Sequence, residues 1–332
     1  MSRRNETLLA LLADGALHSG ADLAAQLGVS RAAVWKLVGE LRGQGVQVES
    51  LPRSGYRLPR PVELLDQRRI ALSLEDRGWR LGDRLEVLFE TDSTNTWLYG
   101  APAPSPGQPR VAFAELQHAG RGRRGRSWLA PFGSGLTFSV AWTFADMPAG
   151  LPALGLAIGV GVAQALRDVG LGDAQVKWPN DLVWQRRKLG GLLLQMRSEA
   201  GGPASVVAGL GLNLALPPDV RAALDEPGAQ PVTDMVEALR GRLPGRNDLA
   251  ATLAAAMLGT LDEFARDGYA AFAARWAELD ALAGARVCVT QADAIVAGEA
   301  CGADADGALL VRVDGSVQRF YSGDVSLRAA SP

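Results

Sequence analysis

The chain has 332 residues, of which 48% are hydrophobic and 21% charged, with a formal net charge of −2. This length suits about two or three domains, and the balance is that of a soluble globular protein, which excludes a disordered or fibrous chain. Its two cysteines, Cys288 and Cys301, and two histidines, His18 and His118, form neither a disulfide framework nor a zinc-ligand pattern, as expected of thiols in a reducing cytoplasm.

Charge is spread unevenly. Up to Arg60 there are eight Lys/Arg against five Asp/Glu, so this segment carries about +3 and the remainder about −5. A basic N-terminal unit on an acidic chain points to a nucleic-acid partner for that unit alone. Its first stretch, "ETLLALLADG", predicts a short apolar helix ended at Gly15, and Asp14 cuts the run too short for a secretion signal. "HSGADLAAQLGVS" predicts a second helix, capped by Ser19 and broken at Gly28. Ser30 then caps "RAAVWKLVGELRGQG", where Val34, Leu37, Val38 and Leu41 make one apolar stripe. Two helices at a tight glycine-containing turn are a helix-turn-helix signature, and "VQVES", "LPRSG" and "YRL" follow as a β-hairpin wing. This pattern puts the Ser30–Arg42 helix in a major groove with Arg31 and Lys36 outward, and Arg53 and Arg57 of the wing on phosphates. A small helical domain that binds protein is the alternative.

After the proline-marked linker "RLPRPVELLDQ", a second region over about 67–282 alternates strands and helices. Strands are expected at 84–90, 110–116 and 135–144. The uncharged run 147–166, the one stretch that invites a membrane reading, is expected to be a buried helix. Pro148 and Pro152 interrupt it, and Leu154, Ile158, Val162 and Leu166 fall at helical spacing. "AQVKWPNDLVW", "KLGGLLLQM" and "SVVAGLGLNLAL" add further strands. An amphipathic helix starts at Asn247 or Asp248 and stops at Gly268, and "YAAFAARWAELDAL" forms another. A third region, about 284–330, reads as a small all-β unit of about 45 residues, too small to hold much core without docking.

The segment "QHAGRGRRGRSW" carries the most chemistry. Gly120, Gly122 and Gly125 satisfy the dinucleotide pattern G-x-G-x-x-G, but that loop must open a helix, and "SWLAPFGSGLTFSVAW" leads to a strand instead. What remains is a loop pinned between strands, with backbone amides freed by glycine and four guanidinium groups, Arg121, Arg123, Arg124 and Arg126. It suits a small molecule with two anionic groups, such as a carboxylate meeting a phosphate. "ETDSTNTW" places Ser93, Thr94 and Asn95 where a strand gives way to a helix, either as a plain N-cap or as partners for a small polar ring. "KWPNDLVWQRRKLGG" carries Lys177, Asn180, Asp181 and Lys188. It is a hairpin by default, with lysines and a carboxylate that would also suit a nucleotide triphosphate with Mg²⁺.

Together, "HSGADLAAQLGVSRAAVWK", "GYRLPRP", "DSTN", "QHAGRGRRGRSW", "KWPNDL", "KLGGLL" and "GLGLN" resemble the biotin–protein ligases, specifically the bifunctional ligases that also repress the biotin operon. The similarity covers nearly the whole chain. It implies an α+β multidomain protein with a winged helix-turn-helix (1–60), a class II aminoacyl-tRNA synthetase-like catalytic domain (67–282) and a C-terminal SH3-like β-barrel (284–330). By this resemblance Ser93, Thr94, Asn95 and Gln117 hold the biotin ureido ring, with Gly120, Arg121, Gly122, Arg123 and Trp128 closing around it. Lys188 meets the biotin carboxylate and the α-phosphate, with Arg121 and Arg123 as its catalytic helpers. Gly191, Gly209 and Gly211 lie beside biotin; Lys177, Asn180, Asp181, Asn213 and Arg328 serve ATP, with Asp181 the candidate Mg²⁺ ligand. The implied partners are a biotin carboxyl carrier domain, operator DNA and a second copy in a ligand-promoted homodimer; no membrane is implied. One departure stands out: residues 215–235, which in relatives often supply an aromatic to the adenine, contain none. Adenine is therefore expected to meet aliphatic groups, or the coupling to repression to differ. The competing readings are a ligase with altered repression, a transcription factor that only senses a ligand, and a lipoate or octanoate ligase on the related fold.

Overall fold

The computed structural model describes residues 3–198, 203–224, 230–291, 294–321 and 325–329. The chain opens with helices α1 (Arg3–Leu12), α2 (Gly20–Leu27) and α3 (Arg31–Gly43), then a hairpin of β1 (Glu49–Leu51) and β2 (Gly55–Arg57). The predicted caps form: Ser19 Oγ accepts from Asp22 N at 3.0 Å and Ser30 Oγ from Ala33 N at 3.2 Å. Each satisfies an amide that the first helical turn leaves unpaired. The stripe of Val34, Leu37, Val38 and Leu41 meets Leu8, Leu9, Leu12 and Leu23 in a core of its own, against which Val62, Phe89 and Phe132 pack from outside the unit. Val46 and Val48 also enter that core, so the wing is shorter than the alternating pattern suggests.

The second region comprises α4 (Gln67–Glu75), β3 (Leu85–Thr91), α5 (Thr94–Gly100), β4 (Arg110–Gln117), β5 (Gly135–Thr143), α6 (Leu154–Asp168), β6 (Ala174–Lys177), β7 (Asp181–Trp184), β8 (Arg187–Ser198), β9 (Ala204–Asn213), α7 (Pro218–Leu224), α8 (Met235–Ala238), α9 (Arg246–Asp267) and α10 (Ala270–Leu279). Its sheet has the order β3-β4-β5-β9-β8-β7-β6. Only β3 and β4 run parallel. Successive side chains of a strand face opposite sides, and here the two sides differ in kind. Phe113, Phe138, Val140 and Trp142 join the main core with α6 and α9, whereas Ala112, Ala141 and Val207 pack with Leu98 of α5. Thr137 and Ser139 therefore project on the α5 side.

Two boundaries differ from the sequence expectation. The apolar run 147–166 becomes helical only from Leu154, after a single 3₁₀ turn at Leu151–Ala153, because Gly150 adopts φ 69° and Pro152 follows. It is buried as expected, and among the described residues no helix is long and apolar enough to cross a membrane. Helix α9 starts at Arg246 rather than at Asn247 or Asp248. Asn247 faces inward: it accepts from Asp66 N at 2.7 Å and donates to Leu64 O at 2.9 Å. Beside it, Arg246 Nη1 donates to Glu115 Oε2 at 2.6 Å, and Glu115 also accepts from Leu65 N, so one buried ion pair ties the linker to sheet and helix.

The last sheet joins β10 (Arg286–Gln291), β11 (Ala294–Ala303), β12 (Leu309–Val313), β13 (Ser316–Phe320) and β14 (Val325–Ala329) in the order β13-β12-β11-β10-β14. Its Val287, Val289, Leu309, Val311 and Phe320 merge with the main core, as a unit of this size requires. Trp178 Nε1 donates to Gly307 O at 2.9 Å across the seam.

Candidate active site

The glycine-arginine loop leaves β4 and returns to β5 with no α-helix, only a 3₁₀ turn at Arg123–Gly125. It is closed on itself by Trp128 N donating to Gly120 O at 2.8 Å and Gly122 N donating to Arg126 O at 2.7 Å. This closure lays the Trp128 side chain on β9. A Cβ on Gly211 would lie 2.4 Å from Trp128 Cε2, so only glycine leaves room for the indole there. The Trp128 Nε1–H is buried with no hydrogen-bond partner among the described residues, as is Asn95 Oδ1. Buried polar atoms normally find partners, so both are ready to meet a polar ligand.

Charge gathers on the other side of Trp128. Lys188 Nζ lies 5.9 Å from the indole centroid and 2.7 Å from Asp181 Oδ1. Arg123 Nη1 donates to Asn180 Oδ1 at 3.2 Å, and Asn180 Nδ2 donates to Leu192 O at 2.6 Å, which fixes the hairpin tip on β8. Burial, with the neighbouring Arg124, pulls the Arg123 guanidinium below its usual range, while Asp181 opposes the fall. Two cations thus flank one carboxylate, and an incoming anion can share the ammonium and the guanidinium with it. Asp181 stands without a cluster around it: no group of three His, Cys, Asp or Glu side chains suited to a metal occurs among the described residues. That donor set fits a Mg²⁺ carried in by nucleotide phosphates, with one protein carboxylate beside it, rather than a resident metal.

The other predicted residues are held in small polar sets. Thr94 N donates to Gln117 Oε1 at 2.7 Å, and Thr94 Oγ1 lies 2.9 Å from Ser139 Oγ. Asn95 Nδ2 donates to Leu193 O at 3.1 Å, and a Cβ on Gly209 would meet it. Gly191 abuts Asp181 and Lys188. Lys177 Nζ donates to Gln230 Oε1 at 2.8 Å, and Asn213 Nδ2 donates to Thr233 O at 3.0 Å. Three predicted residues stand apart. Ser93 Oγ caps α5 by accepting from Thr96 N, the Arg121 side chain is exposed, and Arg328 lies on β14 opposite Cys288 with its side chain outside the described residues. Ser139 was not among the predicted residues, although the polar alternation Thr137-Ser139 inside an apolar strand was a legible signal. The strap 230–233 was missed too: Lys188 N donates to Pro231 O at 2.7 Å and Thr233 N to Lys188 O at 2.9 Å. On α3, Arg31 and Lys36 are exposed and so is Trp35, at 71%. Arg53 is exposed; Arg57 is exposed but held by Glu49 at 2.7 Å, and Ser30 serves as the helix cap.

Residues 3–57 match the profile of an HTH domain, 88–213 that of the Biotin/lipoate A/B protein ligase family, and 283–328 that of the Biotin protein ligase C terminal domain. The chain is 38% identical over 323 residues to the bifunctional ligase/repressor BirA of Escherichia coli, covering 97% of each protein. The chain belongs to the BirA family of bifunctional ligase/repressors. It is a ligase, and it carries the helix-turn-helix unit of a repressor. A BirA of Bacillus subtilis is 28% identical over 316 residues, covering 93% of both proteins. Among solved structures, a biotin protein ligase from Aquifex aeolicus in complex with biotin and ATP shares the fold at a TM-score of 0.62 and 24% identity. That match covers 74% of this chain and 99% of the other.

Proposed function

We propose that this BirA-family chain activates biotin with MgATP to biotinyl-5′-AMP, transfers biotin to a lysine of a biotin carboxyl carrier domain, and represses biotin operon genes as a cytoplasmic, ligand-promoted homodimer. The three units divide near residue 60 and residue 283. The observation that carries the reading is the cluster of Lys188, Asp181 and Arg123 beside a Trp128 that rests on Gly211.

In the first step a biotin carboxylate oxygen forms a bond to the α-phosphorus of ATP, and the bond to pyrophosphate breaks. Two anions must approach each other, so the ammonium of Lys188 and the guanidinium of Arg123 lower the barrier by offsetting charge that grows in the transition state. Asp181 and Asn180 would hold a Mg²⁺ brought with the nucleotide, and the ion would supply neutralisation of the pyrophosphate charge. Thr94, Asn95 and Gln117 offer donors and acceptors to a ureido ring, and Gly120–Trp128 exclude water from the mixed anhydride. The acceptor lysine then attacks the acyl carbon and AMP departs. Arg31, Lys36 and Arg53 face outward on the N-terminal unit as a basic surface for duplex DNA. The test is ATP–pyrophosphate exchange, which must depend on biotin, followed by mass spectrometry of a carrier domain. Exchange that depends on lipoate instead, or none at all, overturns the reading.

A further inference from the structure

The segment after β9 lacks an aromatic anchor, yet its described residues on either side, 214–224 and 230–238, are tied together. Arg221, on α7, donates through Nη2 to Asp234 Oδ2 at 2.7 Å, and through Nη1 to Glu237 Oε2 at 3.0 Å and Val232 O at 3.4 Å. Asp234 also caps α8 by accepting from Glu237 N at 2.8 Å, and it accepts from Leu216 N at 2.9 Å. Glu237 takes a second guanidinium, Arg187 Nη1 at 2.5 Å, and accepts from Thr233 Oγ1 at 3.1 Å. Arg187 is the chain neighbour of Lys188, and Pro231 and Thr233 are the residues whose backbones bond to Lys188. One network therefore joins α7, the strap, α8 and the start of β8, ending one residue from Lys188.

We propose that Arg221 is a positioning residue that latches the Pro231–Thr233 strap against Lys188 by charge, so that the acyl-adenylate stays in the site until its acceptor arrives. The proposal rests on the ligase reading above. The Asp234 side chain is only 5% exposed, whereas Arg221 is 34% exposed. The carboxylate has little water to fall back on: without the guanidinium it keeps the amides of Leu216 and Glu237 and the more distant charge of Arg60, but loses its ion pair, and the link from α7 to the strap loosens. Arginine is needed for geometry as well as charge: one planar fork spans Asp234 and Glu237, which a lysine ammonium cannot do with equal hold. Loosening the strap opens that flank of the cluster, while the register of β8 on β7, with Lys188 opposite Val183, keeps the ammonium in place. Because the rim of the network is exposed, salt weakens it.

The experiment uses the full chain with biotin and MgATP and no acceptor. It measures the first-turnover pyrophosphate burst and the AMP released afterwards. Arg221→Met, which keeps the aliphatic stem, is expected to speed acceptor-independent AMP release about tenfold, equivalent to ~1.4 kcal/mol, while the burst is kept. Arg221→Lys falls between the two. In the wild type, raising NaCl from about 0.05 M to about 1 M speeds release severalfold, and Arg221→Met loses that response. Wild-type retention in Arg221→Met, equal loss of burst and retention, or release indifferent to salt overturns the latch. If Arg221→Met does not fold, the wild-type salt series decides alone. Absence of any biotin-dependent burst in the wild type defeats the ligase reading itself, and the latch with it.

Discussion

Replacing Gly211 with alanine probes the closed loop most directly. The new Cβ would stand 2.4 Å from Trp128 Cε2 and 2.6 Å from Nε1, where ordinary contact begins near 3.4 Å, so about 1 Å of separation has to be found. The strand cannot supply it, because Gly211 is paired with Thr137 on one side and Gly191 on the other. The loop backbone cannot supply it easily either, since Trp128 N is bonded to Gly120 O. The indole must leave its rotamer or the loop must open. Overpacking of this kind costs about 1–3 kcal/mol, which corresponds to a loss of roughly five- to 150-fold in affinity for a ligand that needs the closed loop. Isothermal titration with biotin, alone and after addition of MgATP, measures it. Thermal stability should hardly move, because the strain is relieved by opening a surface loop. In the background of Trp128→Ala the same substitution should be nearly silent, since the clash is gone. Biotin affinity within twofold of wild type in Gly211→Ala, or an equal loss in both backgrounds, would refute the packing of Trp128 on Gly211 as the closed state.

Glu115→Gln keeps an acceptor for Leu65 N but leaves Arg246 buried without its carboxylate. Unfolding by heat and denaturant should show a loss of about 3–5 kcal/mol, with Glu115→Gln/Arg246→Met less harmed than the sum of the single changes. Strict additivity would show that the pair is not coupled. Asp280 is 95% buried, and burial pushes its carboxyl up to about 6, opposed by its bond from Leu282 N. Its folded value lies above its unfolded one, so the native state binds the extra proton and stability is lost as pH rises from about 4 to about 6. Asp280→Asn should therefore raise the unfolding free energy at pH 7 to 8 by about 3 kcal/mol, with the advantage vanishing near pH 4; a gain that persists at pH 4 contradicts the cause given. Arg31→Ala and Lys36→Ala should each weaken DNA binding across sequences and lower the salt slope by about 1, with ligase turnover unchanged. An unchanged slope would take both side chains off the phosphates.

Much of this molecule was legible one window at a time. Caps at Ser19, Ser30 and Ser93, the glycine stop at Gly28 and the strand that follows the arginine loop depend on neighbours within a few residues, and local backbone sterics and hydrogen bonds decide them. The glycine-arginine loop, the Lys177–Asp181 hairpin and Lys188 were likewise recognisable as anion chemistry, because donors of that type at that spacing have little else to do. Asn247 shows the limit: a good cap by composition, it turns inward because Asp66 and Leu64 compete for it from the linker. The polar sets and the strap lay further out of reach. Thr94 meets Ser139 across 45 positions, Lys177 meets Gln230 across 53, and Arg246 meets Glu115 across 131. Such pairs arise from strand register and from the docking of α7 and α8 beside β8, which no local pattern encodes. Composition and spacing declared what kind of ligand this chain takes. Long-range packing, where burial makes each unpaired polar group costly, chose which side chains the candidate site brings together.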